Sequence, residues 1–235
     1  LLFKLDIKKA FDSVKWDYLM ELLTHHGFPS RFKGWVSALL SMVSSMVLLN
    51  GIAGDPIKHG CGLRQGDPLS PFLFLFVADG LDAILKQKVR QAKISPIHVC
   101  PRAPGISHLL FTDDTLMFFR ATQEEATQVG DALAIYERIT GQFINPAKCS
   151  ILFGPCCGDN DKHEVVHTLQ VEMVGFDDKY LGLPTPSGRM SKSKFQNLQE
   201  QLTKRILQWG EAASQGGKEI LIKAVAQSLP TYIMW

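Results

Sequence analysis

Two adjacent carboxylates lie between runs of nearly palindromic character in the stretch Leu109-Leu110-Phe111-Thr112-Asp113-Asp114-Thr115-Leu116-Met117-Phe118. This symmetry predicts a tight β-hairpin with Asp113-Asp114 as its two-residue turn, so that Thr112 lies opposite Thr115. Like charges held side by side on rigid strands repel each other unless a cation lies between them. Carboxylate oxygens suit Mg²⁺ or Mn²⁺. The stretch therefore predicts either a divalent-metal site or a solvated acidic turn.

The start of the chain predicts a second strand with an acidic residue near its end. One face of the predicted strand carries Leu1, Phe3, Leu5 and Ile7, and the other carries Leu2, Lys4 and Asp6. This alternation is the pattern of a strand with one buried face. Asp6 lies on the more polar face, where a side chain can reach a cleft. Together with Asp113 and Asp114 it supplies three carboxylates, enough to hold two Mg²⁺ ions about 4 Å apart.

The rest of the chain mixes helical and extended patterns without strict alternation. Helices are predicted to begin at Ser13, Ser30, Pro68, Thr122, Ser191 and Lys218, and the second of them to turn Phe32, Trp35, Val36, Leu39 and Leu40 inward. Asn50-Gly51 predicts a hairpin turn, and residues 148–153 predict a strand. This irregular order indicates an α+β fold. A shift in composition near residue 184 predicts a domain boundary.

The composition is that of an ordinary globular protein. The 235 residues are 46% hydrophobic and 20% charged, with a net charge of +2, which neither demands nor excludes a polyanionic partner. The longest apolar run, residues 71–78, is far shorter than the roughly 20 residues that span a bilayer, so no membrane partner is expected. An odd number of cysteines, five, disfavours a disulfide framework and favours an intracellular, reducing compartment.

Three segments follow one another along the chain: Leu5-Asp6-Ile7-Lys8-Lys9-Ala10-Phe11-Asp12-Ser13-Val14, Gly62-Leu63-Arg64-Gln65-Gly66-Asp67-Pro68-Leu69-Ser70-Pro71 and Phe111-Thr112-Asp113-Asp114. In order and spacing they resemble the signature segments of reverse transcriptases, above all those of plant non-LTR (LINE-type) retrotransposons. The resemblance continues through Thr140-Gly141 with Ile144-Asn145 and Lys148, then Tyr180-Leu181-Gly182-Leu183-Pro184, and then Gly217-Lys218-Glu219. It covers nearly the whole chain.

The resemblance implies a fold and an activity. The fold is a polymerase palm over residues 1–183, an antiparallel sheet packed on helices, followed by a thumb-like helical region over residues 184–235. The activity is RNA-directed DNA polymerisation: two-metal nucleotidyl transfer that adds dNTPs to a primer 3′-OH, with Mg²⁺ or Mn²⁺ as cofactor and an RNA template and DNA primer as partners. The resemblance begins at the first catalytic segment, so we expect the upstream fingers to be missing. An intracellular location is expected, nuclear for an active element, and the oligomeric state stays open.

The resemblance also implies residue roles. Asp6, Asp113 and Asp114 correspond to the metal-binding triad, and Phe11 to the ring that collides with a ribose 2′-hydroxyl. Further roles are nucleotide binding by Ile7, Lys8, Lys9, Ala10, Gln65 and Gly66, protonation of pyrophosphate by Lys148, primer grip by Tyr180, Leu181 and Gly182, and phosphate contact in the thumb by Lys204 and Arg205.

Several alternatives stay open from the sequence. Asp67 or Ser70 can cap the following helix instead of binding a ligand, and Lys148 can be a solvated lysine at a strand edge. For the whole chain, the alternatives are a catalytically inactive retroelement remnant that only binds nucleic acid, or a Mg²⁺-dependent phosphohydrolase that uses the same carboxylates.

Overall fold

A computed structural model of the protein describes residues 1–171, 173–174, 179–180, 183–184, 196–208 and 214–223. The chain divides into two compact units, Leu1–Phe176 and Asp177–Trp235. The assignment of a palm to residues 1–183 and a thumb-like region to residues 184–235 stays a prediction.

The first unit contains most of the described secondary structure, and the second contributes two short strands and two helices. The helices are α1 (Trp16–His25), α2 (Ser30–Ser41), α3 (Ser70–Arg90), α4 (Gln123–Thr140), α5 (Asp159–Leu169), α6 (Gln196–Gln208) and α7 (Gln215–Leu221). The strands are β1 (Leu2–Leu5), β2 (Ser44–Ser45), β3 (Leu48–Leu49), β4 (Ile52–Ala53), β5 (Ile57–Lys58), β6 (His108–Phe111), β7 (Asp114–Phe118), β8 (Ser150–Leu152), β9 (Met173–Val174), β10 (Lys179–Tyr180) and β11 (Leu183–Pro184).

A five-stranded sheet in the order β6-β7-β1-β8-β9 is the framework of the first unit. Strand β1 lies at its centre and pairs antiparallel with β7 on one side and β8 on the other. Strand β9 runs parallel to β8. The remaining strands form two-stranded ribbons, β2 with β5, β3 with β4 and β10 with β11. An antiparallel sheet packed on helices confirms the α+β prediction.

Helices α1, α3 and α4 pack together and cover the sheet. The alternation at the start of the chain has the predicted result, because Phe3 and Leu5 are fully buried. Helix α3 adds Phe74 and Val77 to this core, and the buried Tyr136 hydroxyl of α4 donates to the Val77 carbonyl over 3.3 Å. Each such side chain removed from water contributes about 1.5–3 kcal/mol. The core therefore holds the centre of the sheet against α3 and α4.

Two of the predicted helix starts can be compared at their caps. The Thr122 hydroxyl accepts the Glu125 N–H at the start of α4, as predicted, and Gly141 ends that helix with a left-handed φ of 79°. The prediction that Ser13 caps the first helix is wrong. Helix α1 begins at Trp16, and the Ser13 hydroxyl donates to the Lys9 carbonyl over 3.2 Å. A turn closed on the Lys9 carbonyl therefore precedes the helix.

Helix α2 departs from the predicted burial. Val36 and Leu40 are buried, but Trp35 is 56% and Leu39 54% exposed. The reason is that α2 packs mainly against α1, which covers one narrow stripe of its surface. Asn50-Gly51 does form the predicted turn, between β3 and β4, with φ values of 50° and 82°. In the part of the chain that the structure describes, no helix has the length and apolar character needed to cross a bilayer.

The loop before α3 is pinned to the segment before α1 at a glycine. Gly62 has a φ of 89°, its N–H donates to the Val14 carbonyl over 2.8 Å, and its carbonyl accepts the Trp16 indole N–H over 2.7 Å. A Cβ at this position would lie 2.6 Å from the carbonyl oxygen of Asp12. Only glycine allows this close approach.

Replacing Gly62 by alanine is expected to destabilise the fold by about 2–4 kcal/mol, because backbone strain adds to a contact that only a backbone shift can relieve. Urea unfolding measures the loss. Gly27→Ala is the matched control, since Gly27 has a φ of 77° but no heavy atom within 4 Å of an added Cβ, and about 1 kcal/mol is expected there. Equal losses at the two positions would show that the Asp12 contact is unimportant.

Candidate active site

The pairing of β1 with β7 brings two of the predicted ligands to one end of the sheet. The last pair of this ladder joins Leu5 to Thr115. Asp6 directly follows Leu5, and Asp114 directly precedes Thr115. Neighbouring strands lie about 5 Å apart, so the two acidic residues lie side by side across the ladder. Each is half-buried.

The third acidic residue lies in the hairpin turn, but the turn is not the predicted one. Strand β7 already includes Asp114, which pairs with Phe111, and the two-residue turn is Thr112-Asp113. The local palindrome misplaced the turn by one residue because β6 is also held from outside the hairpin. His108, at the start of β6, lies 2.8 Å from an Asp82 carboxylate oxygen on α3. The exposed Asp113 is therefore adjacent to the site, in a turn where Thr112 takes an unfavourable φ of 52°.

The three carboxylates are close enough to influence one another. Burial raises the pKa of the Asp114 carboxyl above its ordinary value, and the Asp113 charge raises it further, against an opposing effect of Lys4 and with a smaller addition from Asp6. Within the described ranges, no three Asp, Glu, His or Cys side chains already lie together around one point. The arrangement is thus a concentration of negative charge without a preformed three-ligand cage.

Asp6 has partners on the segment that precedes β8. Its carboxylate Oδ2 accepts the side-chain N–H of Asn145 over 3.1 Å, and its carbonyl accepts the Asn145 backbone N–H over 2.9 Å. Its own N–H points at the Cys149 sulfur over 3.4 Å. Burial raises the pKa of the Cys149 thiol to about 11, so this cysteine is a neutral packing partner. Sequence reasoning gave Asn145 no role, although Asn145 lies in one of the quoted segments.

Lys148 lies at the same end of the sheet as Asp6. Strand β8 pairs Ser150 with Lys4. Lys148 lies shortly before Ser150 in the chain, and Asp6 lies shortly after Lys4. Its side chain is exposed, and its N–H donates to the Asn145 carbonyl over 3.0 Å. Lys148 thus lies on the turn that begins at Asn145, the residue that is hydrogen-bonded to Asp6, and its action on the carboxylate cluster as a proton donor stays a prediction.

The turn after Asp6 contains backbone N–H groups, some of which are already hydrogen-bonded within the protein. The Lys8 N–H is occupied by the Phe143 carbonyl over 2.7 Å, which removes it from the predicted phosphate contacts. The N–H groups of Lys9 and Ala10 have no acceptor among the described residues, and Lys9 takes a left-handed φ of 50°. Ile7 is buried in a bridge to Ile144. Of the predicted amides, those of Lys9 and Ala10 are thus best placed for an anion.

Phe11 lies on a rigid support. Its ring stacks on that of Phe74 with centroids 4.8 Å apart and planes 14° from parallel. Phe74 is fully buried in α3. The Phe11 carbonyl also accepts the Leu63 N–H over 2.6 Å. Both the ring and the backbone of Phe11 are therefore held by the segment 62–74, a support that the sequence did not reveal.

Gln65 lines a cleft of about 430 Å³, and Gly66 follows it in the chain. The Gln65 amide donates to an Asp12 carboxylate oxygen over 3.3 Å, and Gly66 takes a φ of 84° with open space around it. The Asp67 carboxylate accepts the Leu69 N–H over 2.9 Å in the turn before α3, but neither Asp67 nor Ser70 makes a side-chain hydrogen bond that caps the helix. Gln65 thus contacts the Phe11–Asp12 region rather than the carboxylate cluster.

The predicted primer-grip and thumb residues lie in the second unit. Tyr180 is part of β10 and pairs with Leu183 of β11. Leu181 and Gly182 lie outside the described residues. Lys204 and Arg205 lie on α6, and the Lys204 side chain is exposed. Their roles stay predictions.

Comparison with known proteins identifies the fold. The chain resembles the structure of apo telomerase from Candida Tropicalis truncated from its C-terminal domain, with a TM-score of 0.51 and 15% identity over 68% of this chain and 31% of that one. The antiparallel sheet on helices, with acidic residues at one end of β1 and β7, is thus a palm-like polymerase fold.

Residues 1–183 match the family model described as Reverse transcriptase (RNA-dependent DNA polymerase), and the chain belongs to that family. The chain is 30% identical over 149 residues to a Retrovirus-related Pol polyprotein from type-1 retrotransposable element R2 of Popillia japonica, covering 62% of this chain and 23% of the polyprotein. It is 39% identical over 70 residues to an uncharacterized mitochondrial protein of Arabidopsis thaliana, covering 30% of this chain and 57% of that protein. The chain thus spans only part of these relatives.

The raised pKa of Asp114 predicts a pH-dependent stability difference. A carboxyl whose pKa is raised by folding contributes stability below its ordinary pKa and loses it as the pH rises through the raised value. Asp114→Asn, which stays neutral, is therefore expected to raise the Tm at pH 7 in metal-free buffer, with a difference that shrinks as the pH falls towards 3. Differential scanning fluorimetry from pH 3 to 8 measures this, with the exposed Asp131→Asn as control. A stability gain that is independent of pH would refute the electrostatic explanation.

Proposed function

We propose that the chain is the catalytic palm of an RNA-directed DNA polymerase from a plant non-LTR (LINE-type) retrotransposon, which adds dNTPs to a primer 3′-OH on an RNA template. The observation that supports this proposal most strongly is the strand register that puts Asp6 and Asp114 side by side, with Asp113 in the adjoining turn. The R2 polyproteins among its relatives support a retrotransposon source, and the Arabidopsis protein supports a plant one. Action inside the cell, in the nucleus for an active element, is part of the proposal.

The donor set fits divalent cations. Asp6, Asp113 and Asp114 offer hard carboxylate oxygens, which suit Mg²⁺ or Mn²⁺. Burial, followed by the negative charge of Asp113, raises the pKa of Asp114, and a bound cation would relieve both effects. We propose that these three residues hold two ions. Bound there, the ions supply charge stabilisation for the attacking hydroxyl and the departing pyrophosphate.

The surrounding residues orient the substrates. The Lys9 and Ala10 amides bind the triphosphate of the incoming dNTP, and Phe11, supported by Phe74, excludes a ribose 2′-hydroxyl. Gln65 and Gly66 contact the nucleotide and the template from the neighbouring loop. Lys148, on the turn beside Asp6, protonates the departing pyrophosphate. In the second unit, the residues proposed to hold the primer duplex are Tyr180, Leu181, Gly182, Lys204 and Arg205.

A second candidate is a catalytically inactive remnant that only binds nucleic acid. It is favoured by one observation: among the described residues, the acidic side chains do not gather into a three-ligand cluster. Binding then depends on basic side chains that neutralise phosphates, and it falls steeply with added salt.

Primer extension distinguishes the two candidates. With poly(rA), oligo(dT), dTTP and Mg²⁺, the wild-type chain joined to an upstream fingers segment is expected to extend the primer, and Asp113→Ala in the same protein is expected to abolish extension because a metal-binding carboxylate is lost. Asp131→Ala, an exposed acidic residue on α4, is the control and is expected to retain activity. Extension that survives in Asp113→Ala would exclude the polymerase assignment. Salt-sensitive binding to the primer–template without extension by the wild type would favour the remnant.

Phe11→Val is expected to admit ribonucleotides. Removing the ring opens space beneath the sugar, and relief of one steric conflict is worth about tenfold or more in the ratio of rUTP to dTTP efficiency. Steady-state single-nucleotide extension measures this ratio. Phe76→Val is the matched control. Phe76 is a half-buried ring on α3, the helix that also carries Phe74, but the Phe76 ring packs against Phe28 instead of Phe11. The same gain in both variants would indicate loosened packing rather than a lost gate.

A further inference from the structure

A short segment after α4 runs antiparallel alongside the segment that carries Asp6 and the amide turn. Its backbone makes three hydrogen bonds to that segment. They are Lys15 N–H to the Thr140 carbonyl (2.9 Å), Lys8 N–H to the Phe143 carbonyl (2.7 Å) and Asn145 N–H to the Asp6 carbonyl (2.9 Å). We call residues 140–145 the bracing segment. It is hydrogen-bonded to Asp6 and to both flanks of the turn that carries the Lys9 and Ala10 amides.

Asn145 holds one end of this arrangement. Its side-chain N–H donates to Asp6 Oδ2 over 3.1 Å. Its carbonyl accepts the N–H groups of Lys148 and Cys149 over 3.0 and 3.1 Å. An amide donor fixes the rotamer of a carboxylate without competing for a proton, and it leaves Oδ1 free for a cation. Asn145 thus joins Asp6 to the turn that carries Lys148.

Gln142 holds the other end. It is fully buried, and its amide nitrogen donates to the Ala10 carbonyl over 2.9 Å and to the Ser13 hydroxyl over 3.0 Å. In the described part of the chain, its amide oxygen has no hydrogen-bond donor. A buried acceptor without a donor costs on the order of 1–3 kcal/mol. Gln142 thus leaves its own oxygen unpaired while its nitrogen holds the Ala10 carbonyl and the Ser13 hydroxyl, so its clearest contribution is to the conformation of the Lys9–Ser13 turn.

We propose that Gln142 and Asn145 are positioning residues for nucleotidyl transfer. Asn145 orients the Asp6 carboxylate towards the cation, and Gln142 fixes the Lys9–Ser13 turn so that the Lys9 and Ala10 amides face the triphosphate. This inference rests on the proposed function. It divides the bracing segment into a part that sets metal affinity and a part that sets nucleotide affinity.

Metal binding tests the role of Asn145 on the full 235-residue chain. The probe is Mn²⁺, titrated against the chain and followed by the EPR signal of the free ion. Asn145→Ala is expected to weaken Mn²⁺ binding about tenfold, as loss of a residue that orients a metal ligand does. A misfolded fraction lowers the number of sites but leaves the Kd unchanged, so the Kd separates positioning from stability. Asn145→Ser, which leaves a smaller cavity, is the second variant, and the exposed Asn160→Ala is the control.

Nucleotide binding tests the role of Gln142. The probe is a fluorescent dTTP analogue bound in the presence of Ca²⁺ and primer–template. Gln142→Met keeps the length of the side chain and removes its polar atoms. It is expected to weaken binding of the analogue about tenfold, as loss of an orienting contact does, while the Mn²⁺ Kd stays near the wild-type value. A role in stability alone predicts a lower Tm with both affinities unchanged.

Failure of this inference and failure of the proposed function give different results. If the Mn²⁺ Kd of Asp114→Asn equals that of the wild type, the carboxylates are not the metal site and the proposed function fails. If Mn²⁺ binding depends on Asp114 but is the same in Asn145→Ala and the wild type, only the positioning role of Asn145 is overturned. Unchanged binding of the analogue in Gln142→Met overturns the role of Gln142.

Discussion

Antiparallel pairing of β1 with β7 is the constraint on which the candidate site depends. It places Asp6 beside Asp114, whose carboxyl pKa is raised by burial and by the charge of Asp113, with a small further contribution from Asp6. The same ladder buries Phe3, Leu5 and Met117, and each contributes about 1.5–3 kcal/mol. The apolar face of the ladder therefore stabilises the pairing that brings these carboxyls together. A fold of this kind can hold a cluster of like charges ready for a cation.

Helix α3 joins the separate parts of the site into one body. It spans 21 residues, about 30 Å at the usual helical rise. The loop with Gln65 and Gly66 leads into its start, Phe74 supports Phe11 in its first half, and Asp82 holds His108 at the base of the hairpin. Because helix interiors are rigid, the nucleotide-side residues and the acidic turn keep a fixed separation. The bracing segment also holds Asp6 and the turn after it, through backbone hydrogen bonds to Asp6 and Lys8.

The parts predicted correctly from the sequence are those governed by local periodicity and capping. Alternation in the first strand, the Asn50-Gly51 turn and the start of a helix at Thr122 each depend on residues a few positions apart. The predictions that failed depended on distant partners. The hairpin turn moved by one residue because α3 also holds β6, and Trp35 and Leu39 stay exposed because α2 has a single main neighbour. Local patterns contain no information about which neighbours an element finds.

By itself, the sequence determined the α+β character of the chain, and it singled out the residues that we propose carry the chemistry: the three aspartates, the ring of Phe11 and Gln65-Gly66 in the loop before α3. Tertiary structure alone decided how these residues are held. It assigned Asn145 to the Asp6 carboxylate across 139 positions of sequence and Gln142 to the Ala10 carbonyl across 132, and it placed Phe74 beneath Phe11. The physical reason is that residue type sets what a side chain can bind, whereas its partner is set by the packing of segments far apart in the chain.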